Sequence, residues 1–259
     1  MTVLRSIALA FAMFSGLPAP RVEWSAKNMR YMMAGFPLVG AAVGLLLFGW
    51  AALSRWLELG AVLTACGLTL IPVAVTGGIH LDGFCDTVDA LASHAEPGRK
   101  CEILKDPHMG AFAAIGLAAY FLLYFSLSYT LVLSRPALLL LCCAPVLSRV
   151  LSALSVIFLP GTGGTGTLSS FHDAADKRVV GGVLAVLLAL CTAAMLSLSV
   201  IGGALMLLAA ALCFWRLARV AQQEFGGMRG DLAGWFLQCC ELSCLAALVI
   251  SQKGGWLWS

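Results

Sequence analysis

Charge is what this sequence has least of. Asp, Glu, Lys and Arg together make 11% of its 259 residues, against 61% hydrophobic residues and a mean hydropathy of +0.94. A soluble domain is about one-quarter charged, and no segment here is both long and polar enough to build one, which argues against a soluble enzyme or binding module. A net charge of +3 leaves no basic surplus of the kind that holds nucleic acid, so no nucleic-acid partner is expected. Paired cysteines are lacking too. Of ten cysteines, eight fall inside apolar runs, and the remaining two, Cys85 and Cys101, show no CxxC spacing. This argues against a zinc site or a disulfide framework and marks them as small buried apolar residues. No small-x-small cleavage site follows the short apolar segment 4–17, which ends at Pro18 and Pro20; a retained interfacial or re-entrant segment is expected.

What is present instead is a series of apolar runs of about 20 residues, the length that crosses a hydrocarbon core. Runs at 31–53, 59–75, 111–133 and 137–159 each read as one span. The run 179–215 is too long for one crossing and is split near Gly202 and Gly203; 232–250 supplies the last span. The expected fold is all-α: a polytopic integral membrane protein, one helical domain over 1–259, with about seven transmembrane helices plus the N-terminal segment. Trp256 and Trp258 suit the membrane interface. Polar connections remain near 76–110, 161–178 and 221–231. With a cytoplasmic N-terminal loop, alternation puts all three on the cytoplasmic side with twelve of the 16 Lys and Arg residues, leaving Arg55, Arg135 and Lys253 outside and Arg149 within a span. That is a positive-inside distribution. The expected location is the plasma (inner) membrane of a prokaryote, with the chemistry facing the cytoplasm and the lipid bilayer as solvent.

The 76–110 connection, TGGIHLDGFCDTVDALASHAEPGRKCEILKDPHMG, holds six of the 13 acidic residues. Asp82, Asp86 and Asp89 recur at i, i+4 and i+7, which puts them within about 60° of one helix face and about 10 Å of its axis. Carboxylates so gathered repel unless a cation neutralises them, and hard oxygen ligands suit Mg²⁺ or Mn²⁺. The plainer alternative is a solvated helix face. Gly77, Gly78 and Gly83 allow a backbone or ligand to come close. Lys105 and Asp106 close the loop: the lysine as a point charge for phosphate, the aspartate as a metal ligand or general base, with a surface ion pair as the alternative. His80 is a candidate for proton exchange or orientation, its alternative being a structural histidine. Arg149, in PVLSRV, needs a partner or an anionic ligand within the membrane, and Glu241 raises the same question. Asp231, after GGMRG, is a candidate substrate contact whose plainer reading is a helix N-cap. The GTGGTGT run at 161–167 has the glycine for a phosphate nest but lacks the Walker lysine pattern.

Together these features favour metal-assisted phosphoryl-group transfer at a membrane surface. The rival from another class is a cation transporter, which would gather its acids at broken helices near the bilayer midplane. HLDGFCDTVDA followed by EILKDPHMGAFA resembles the signature of the cobalamin synthase family, the adenosylcobinamide-GDP ribazoletransferases; RYMMAGFPLVGAAVG, PVLSR and GGMRGD extend the resemblance over most of the chain. The resemblance implies an Mg²⁺-dependent transfer of adenosylcobinamide phosphate from adenosylcobinamide-GDP to alpha-ribazole or its 5'-phosphate, with release of GMP. It implies metal ligation by Asp82, Asp86 and Asp89, with Lys105 and Asp106 beside the diphosphate. Asp89, Asp106 and His80 are the candidates for the base, and Lys105, Arg149 and Asp231 for substrate contacts. The number of copies that assemble is left open, a homo-oligomer being allowed. The Asp-Gly order also resembles that of CDP-alcohol phosphotransferases acting on lipids, but the Ala-Arg pair of that family is missing. Two departures stand out: Ala90 where the family often has glycine, and Pro107 and His108 where a Ser-Arg pair is common.

Overall fold

The computed structural model describes residues 2–161 and 167–254. Among these residues the chain forms twelve helices: α1 (Thr2–Phe14), α2 (Ala26–Met29), α3 (Met32–Trp56), α4 (Ala61–Thr76), α5 (Ile79–Ala92), α6 (Pro97–Ile103), α7 (Ala111–Thr130), α8 (Arg135–Phe158), α9 (Thr167–Ala174), α10 (Lys177–Leu198), α11 (Val200–Phe225) and α12 (Gly230–Lys253). The all-α, polytopic reading stands. Six of them, α3, α7, α8, α10, α11 and α12, are long and apolar enough to cross a membrane, where every backbone polar group must be satisfied within the helix.

The remaining expected crossing is α4. Its 16 residues span about 24 Å at 1.5 Å per residue, and the chain then turns by 95° into α5. Gly77 and Gly78 make that corner at φ of 62° and 80°, a left-handed conformation that residues with a Cβ adopt at a cost. The two helices together have the length and composition of one broken span or of a re-entrant loop, with Asp82, Asp86 and Asp89 all beyond the corner, on α5. The N-terminal apolar segment is the 13-residue α1, too short to span and packed on α3 through Leu9 and Ala10.

In the most apolar stretches of α8 and α12, 61% and 67% of residues are buried, against 22% in α7 and α10. The first pair is therefore the centre of the bundle and the second faces lipid. Close approach is set by glycine: a Cβ on Gly44 of α3 would sit 2.6 Å from the Cys142 carbonyl oxygen of α8, and one on Gly83 of α5 would sit 2.8 Å from that of Asp231 at the start of α12. Small residues at such crossings let backbones touch where dispersion, rather than water exclusion, holds helices together. The break between α10 and α11 falls at Ser199, three residues before the expected Gly202–Gly203 turn. The Ser199 hydroxyl accepts from the Gly202 amide at 3.1 Å and caps α11. Gly203 is instead a packing contact against the Met195 carbonyl. The tail tryptophans Trp256 and Trp258 lie outside the described residues, as does most of the glycine run expected to form a phosphate nest.

At the end carrying the polar connections, the loops are tied to one another. Arg30 pairs with Asp176 at 2.6 Å, and the Met228 amide donates to the Pro160 carbonyl at 2.7 Å beside an isolated bridge between Gly161 and Met228. Lys100 of α6 is buried against Glu224 of α11.

Candidate active site

α5 and the first turn of α12 carry the site. Gly83 admits α12 so closely that Asp231 comes beside the carboxylates of α5, and Gly234 repeats the contact one turn on, against the His80 carbonyl. Three groups of oxygen ligands from two helices thus converge. Asp82 is exposed, Asp86 and Asp231 half-buried. Burial, and then the charges of Asp82, Asp231 and Asp89, push the Asp86 carboxyl up to about 6. Asp86 thus sits part-buried among three other carboxylates, a setting that disfavours its ionised form.

The donor chemistry suits a hard divalent ion. Among the described residues no group of three or more His, Cys, Asp or Glu side chains is placed to hold a metal ion by itself. Mg²⁺ rarely requires one, since it commonly draws on one or two carboxylates, water and substrate phosphate.

Asp89 departs from the expectation that made it a metal ligand and a base. Its two oxygens accept from the Gly110 amide at 2.6 Å and the Ala113 amide at 2.8 Å. It is the N-terminal cap of α7, supplied from a neighbouring helix and satisfying amides that have no partner within α7. Gly110 is required there because a Cβ would meet the carboxylate at 2.6 Å.

Arg149 also departs from its expected role. It is 1% exposed, and its Nη1 donates to Glu241 of α12, to Ser148 and to the Pro145 carbonyl, with the guanidinium 5.9 Å from the centre of the Phe36 ring. Arg149 is thus one half of a buried ion pair within the bundle, with its Nε left without a partner. Asp106 lies on the exposed loop after α6, where it accepts from the His108 amide and ring. These bonds hold its carboxyl below the usual range, the opposite of what a general base needs. Lys105 is exposed on the same loop, open to an approaching anion. Neither residue lines the cavity described next.

That cavity, of about 210 Å³, opens beside Asp82 and Asp231 and is lined by side chains from α1, α3, α5, α8, α9 and α12. His80 forms part of its wall. The imidazole is 5% exposed, faces Phe14 and Phe36, and its Nε2 has no protein partner. Burial, aided by the charge of Arg149, holds its pKa well below the ordinary value, so the ring is neutral and a weak base. Two further groups went unseen in the sequence. Ser152 Oγ is buried without a partner in the same wall, and Arg229, the residue before α12, has a buried, unpartnered Nε near Asp231. The GGMRGD motif contained the second; nothing local to Ser152 distinguishes it from the other serines of α8.

The family model described as cobalamin-5-phosphate synthase matches residues 6–249. An adenosylcobinamide-GDP ribazoletransferase of Lachnoclostridium phytofermentans is 42% identical over 252 residues, covering 97% of this chain and 96% of the relative. Enzymes of the same name from Desulfitobacterium hafniense and Clostridium perfringens are 32% and 29% identical, covering 93% and 95% of this chain and 95% and 98% of their own lengths. No solved structure matches.

Proposed function

The chain belongs to the cobalamin-5-phosphate synthase family, and from that premise we infer how its polar face carries out the transfer. The activity is that of an adenosylcobinamide-GDP ribazoletransferase, the last assembly step of cobalamin. The runner-up readings, a lipid-directed CDP-alcohol phosphotransferase and a cation transporter, give way to this assignment. In the reaction a hydroxyl of alpha-ribazole, or of its 5'-phosphate, attacks the phosphorus that carries the cobinamide arm. A new P–O bond forms, the P–O bond to GMP breaks, and GMP leaves with the bridging oxygen. The hydroxyl proton must be taken up, and the phosphate charge must be neutralised.

Asp82, Asp86 and Asp231 would hold Mg²⁺, which supplies charge neutralisation for the diphosphate and its leaving group. The other work falls to side chains. One of the two carboxylates that line the cavity, Asp82 or Asp231, takes the hydroxyl proton in place of Asp89, Asp106 and His80, while the other stays with Asp86 at the metal. Arg229 and Lys105 meet phosphate oxygens, the arginine as a fork and the lysine as a point charge. With His108 exposed and turned to Asp106, a phosphate contact expected from an arginine at that position passes to these two. Twelve of the 16 Lys and Arg residues fall on the polar-loop side, a positive-inside distribution that supports a cytoplasmic orientation of this face in a prokaryotic inner membrane.

The observation that carries the reading is the convergence of Asp82, Asp86 and Asp231 beside a cavity sized for part of a substrate. The test is GMP release by purified protein given adenosylcobinamide-GDP and alpha-ribazole. Release with Mg²⁺ and its loss on chelation are expected. No release in either condition would refute the transfer, and equal release in both would refute the metal.

A further inference from the structure

The cavity beside the carboxylates is built unlike a phosphate site. Its inner wall is a cluster of rings from four elements: Phe14 of α1 lies 4.3 Å from Phe36 of α3, 6.4 Å from His80 of α5 and 6.2 Å from Phe171 of α9, centre to centre. Met13 and Met33 fill the gaps between them, as a flexible thioether does around an aromatic ligand. Two polar atoms sit in this apolar wall, His80 Nε2 and Ser152 Oγ, both buried and both without a protein partner. Leaving a buried polar group without a partner is destabilising, so two in one small cavity point to a ligand that completes them.

Size narrows the choice. An apolar cavity of about 150 Å³ accepts benzene; at about 210 Å³ this one accepts a fused bicyclic ring and excludes a corrin or a nucleotide. The two substrates carry three fused bicyclic heteroaromatics, the guanine and adenine of adenosylcobinamide-GDP and the base of the acceptor; the acceptor base is the least polar of them, which suits a wall of Phe14, Phe36 and Phe171. Asp82 and Asp231 line the same cavity, which is where the ribose attached to that base would have to present its hydroxyl.

We propose that this cavity is the acceptor-base subsite: it takes a benzimidazole-type ring against Phe14, Phe36 and Phe171, with His80 Nε2–H donating to the ring nitrogen and the ribose directed to Asp82 and Asp231. The assignment rests on the transferase reading for the identity of the acceptor, and it changes the part played by His80. A buried imidazole whose Nε2 has no protein partner and faces the cavity is placed to recognise a ring nitrogen of the base. His80 is thus a specificity residue of the known reaction, and the aromatic cluster explains why residues from α1, α3 and α9 converge at this end of the bundle.

The test separates binding from turnover. Purified protein in detergent is titrated with free benzimidazole and with indole, which has the same shape but no acceptor nitrogen. Benzimidazole is expected to bind at least about tenfold more tightly, the worth of one buried hydrogen bond, and His80→Phe, which keeps an aromatic ring, is expected to erase the preference. Equal binding of the two probes, no binding of either, or an undiminished preference in His80→Phe would overturn the subsite. Should His80→Phe fail to fold, Phe171→Ala decides: it is expected to raise the KM for alpha-ribazole about tenfold with that for adenosylcobinamide-GDP unmoved, as removal of ring stacking worth about 1–1.5 kcal/mol implies. An unchanged KM for alpha-ribazole in an enzyme that still releases GMP would overturn the subsite and leave the transferase reading standing; absence of GMP release from the unmodified protein would overturn both.

Discussion

Asp86 and Asp89 lie three positions apart on one helix, yet their surroundings assign them opposite work. Asp89 is spent on the α7 amides, whereas Asp86 faces other carboxylates and is pushed up to about 6 by burial and by their charges. The sign of the pH effect follows. With a folded pKa above the unfolded value of about 3.9, the cation-free protein binds more protons folded than unfolded between about pH 4 and 6. The stability it draws from a protonated Asp86 is therefore lost as pH rises through that window. A divalent cation favours the ionised form, so the rise in Tm produced by Mg²⁺ is expected to be largest above about pH 7 and to fade below about pH 6. A Mg²⁺-induced shift independent of pH between 5 and 8 would contradict the placement of Asp86 at the cation. The two aspartates should also part company on substitution: Asp89→Ala lowers stability by about 1–2 kcal/mol, as loss of a helix cap does, while Asp82→Asn costs at least about a hundredfold in GMP release with Tm held. The i, i+4, i+7 spacing put all three acids on one face of α5. It could not show that Asp89 is taken by α7 or that Asp231 completes the group, because both depend on how separate helices cross.

At the scale of elements, the contact between α8 and α12 is held by Arg149 and Glu241, 92 positions apart in sequence and both at most 3% exposed. Each was legible as an intramembrane charge in need of a partner; that they answer one another was not, since nothing local links them. Removing one member of such a pair leaves a bare buried charge, a loss of about 3–5 kcal/mol. Glu241→Ala is therefore expected to lower the unfolding temperature strongly, and the double variant Arg149→Met, Glu241→Leu to recover much of it; a single variant as stable as the double would show that the pair is not coupled. The crossings were legible in length and order because apolar runs and polar breaks mark them directly. Their ends were less so: the α10–α11 turn sits at a serine cap, not at the glycines that follow, because a glycine in an apolar helix can equally serve close packing, as Gly203 does.

Across the whole molecule, charge is distributed asymmetrically between the two ends of the bundle. Polar connections, basic residues and the carboxylates of α5 and α12 gather at one end of the bundle, and the aromatic cavity opens there. In a cysteine-free background a cysteine placed at the exposed Lys105 position is expected to react with a membrane-impermeant thiol reagent only after cells are opened; labelling of intact cells would invert the topology. The polar segment 76–110 was recognisable from its acids alone as a concentration of charge in an apolar chain. The cavity was not, because its rings come from Phe14, Phe36, His80 and Phe171, whose proximity exists only after folding. What binds these levels together is the claim that α12 delivers Asp231 to Asp82 and Asp86 as part of one cation site. The most direct measurement is the Mg²⁺ dependence of GMP release in Asp231→Asn beside the unmodified enzyme. The account predicts at least about a tenfold rise in the Mg²⁺ concentration for half-maximal rate, the cost of one charge-assisted contact of about 1.5–3 kcal/mol, with the fold intact. An unchanged Mg²⁺ dependence at an unchanged rate would contradict it.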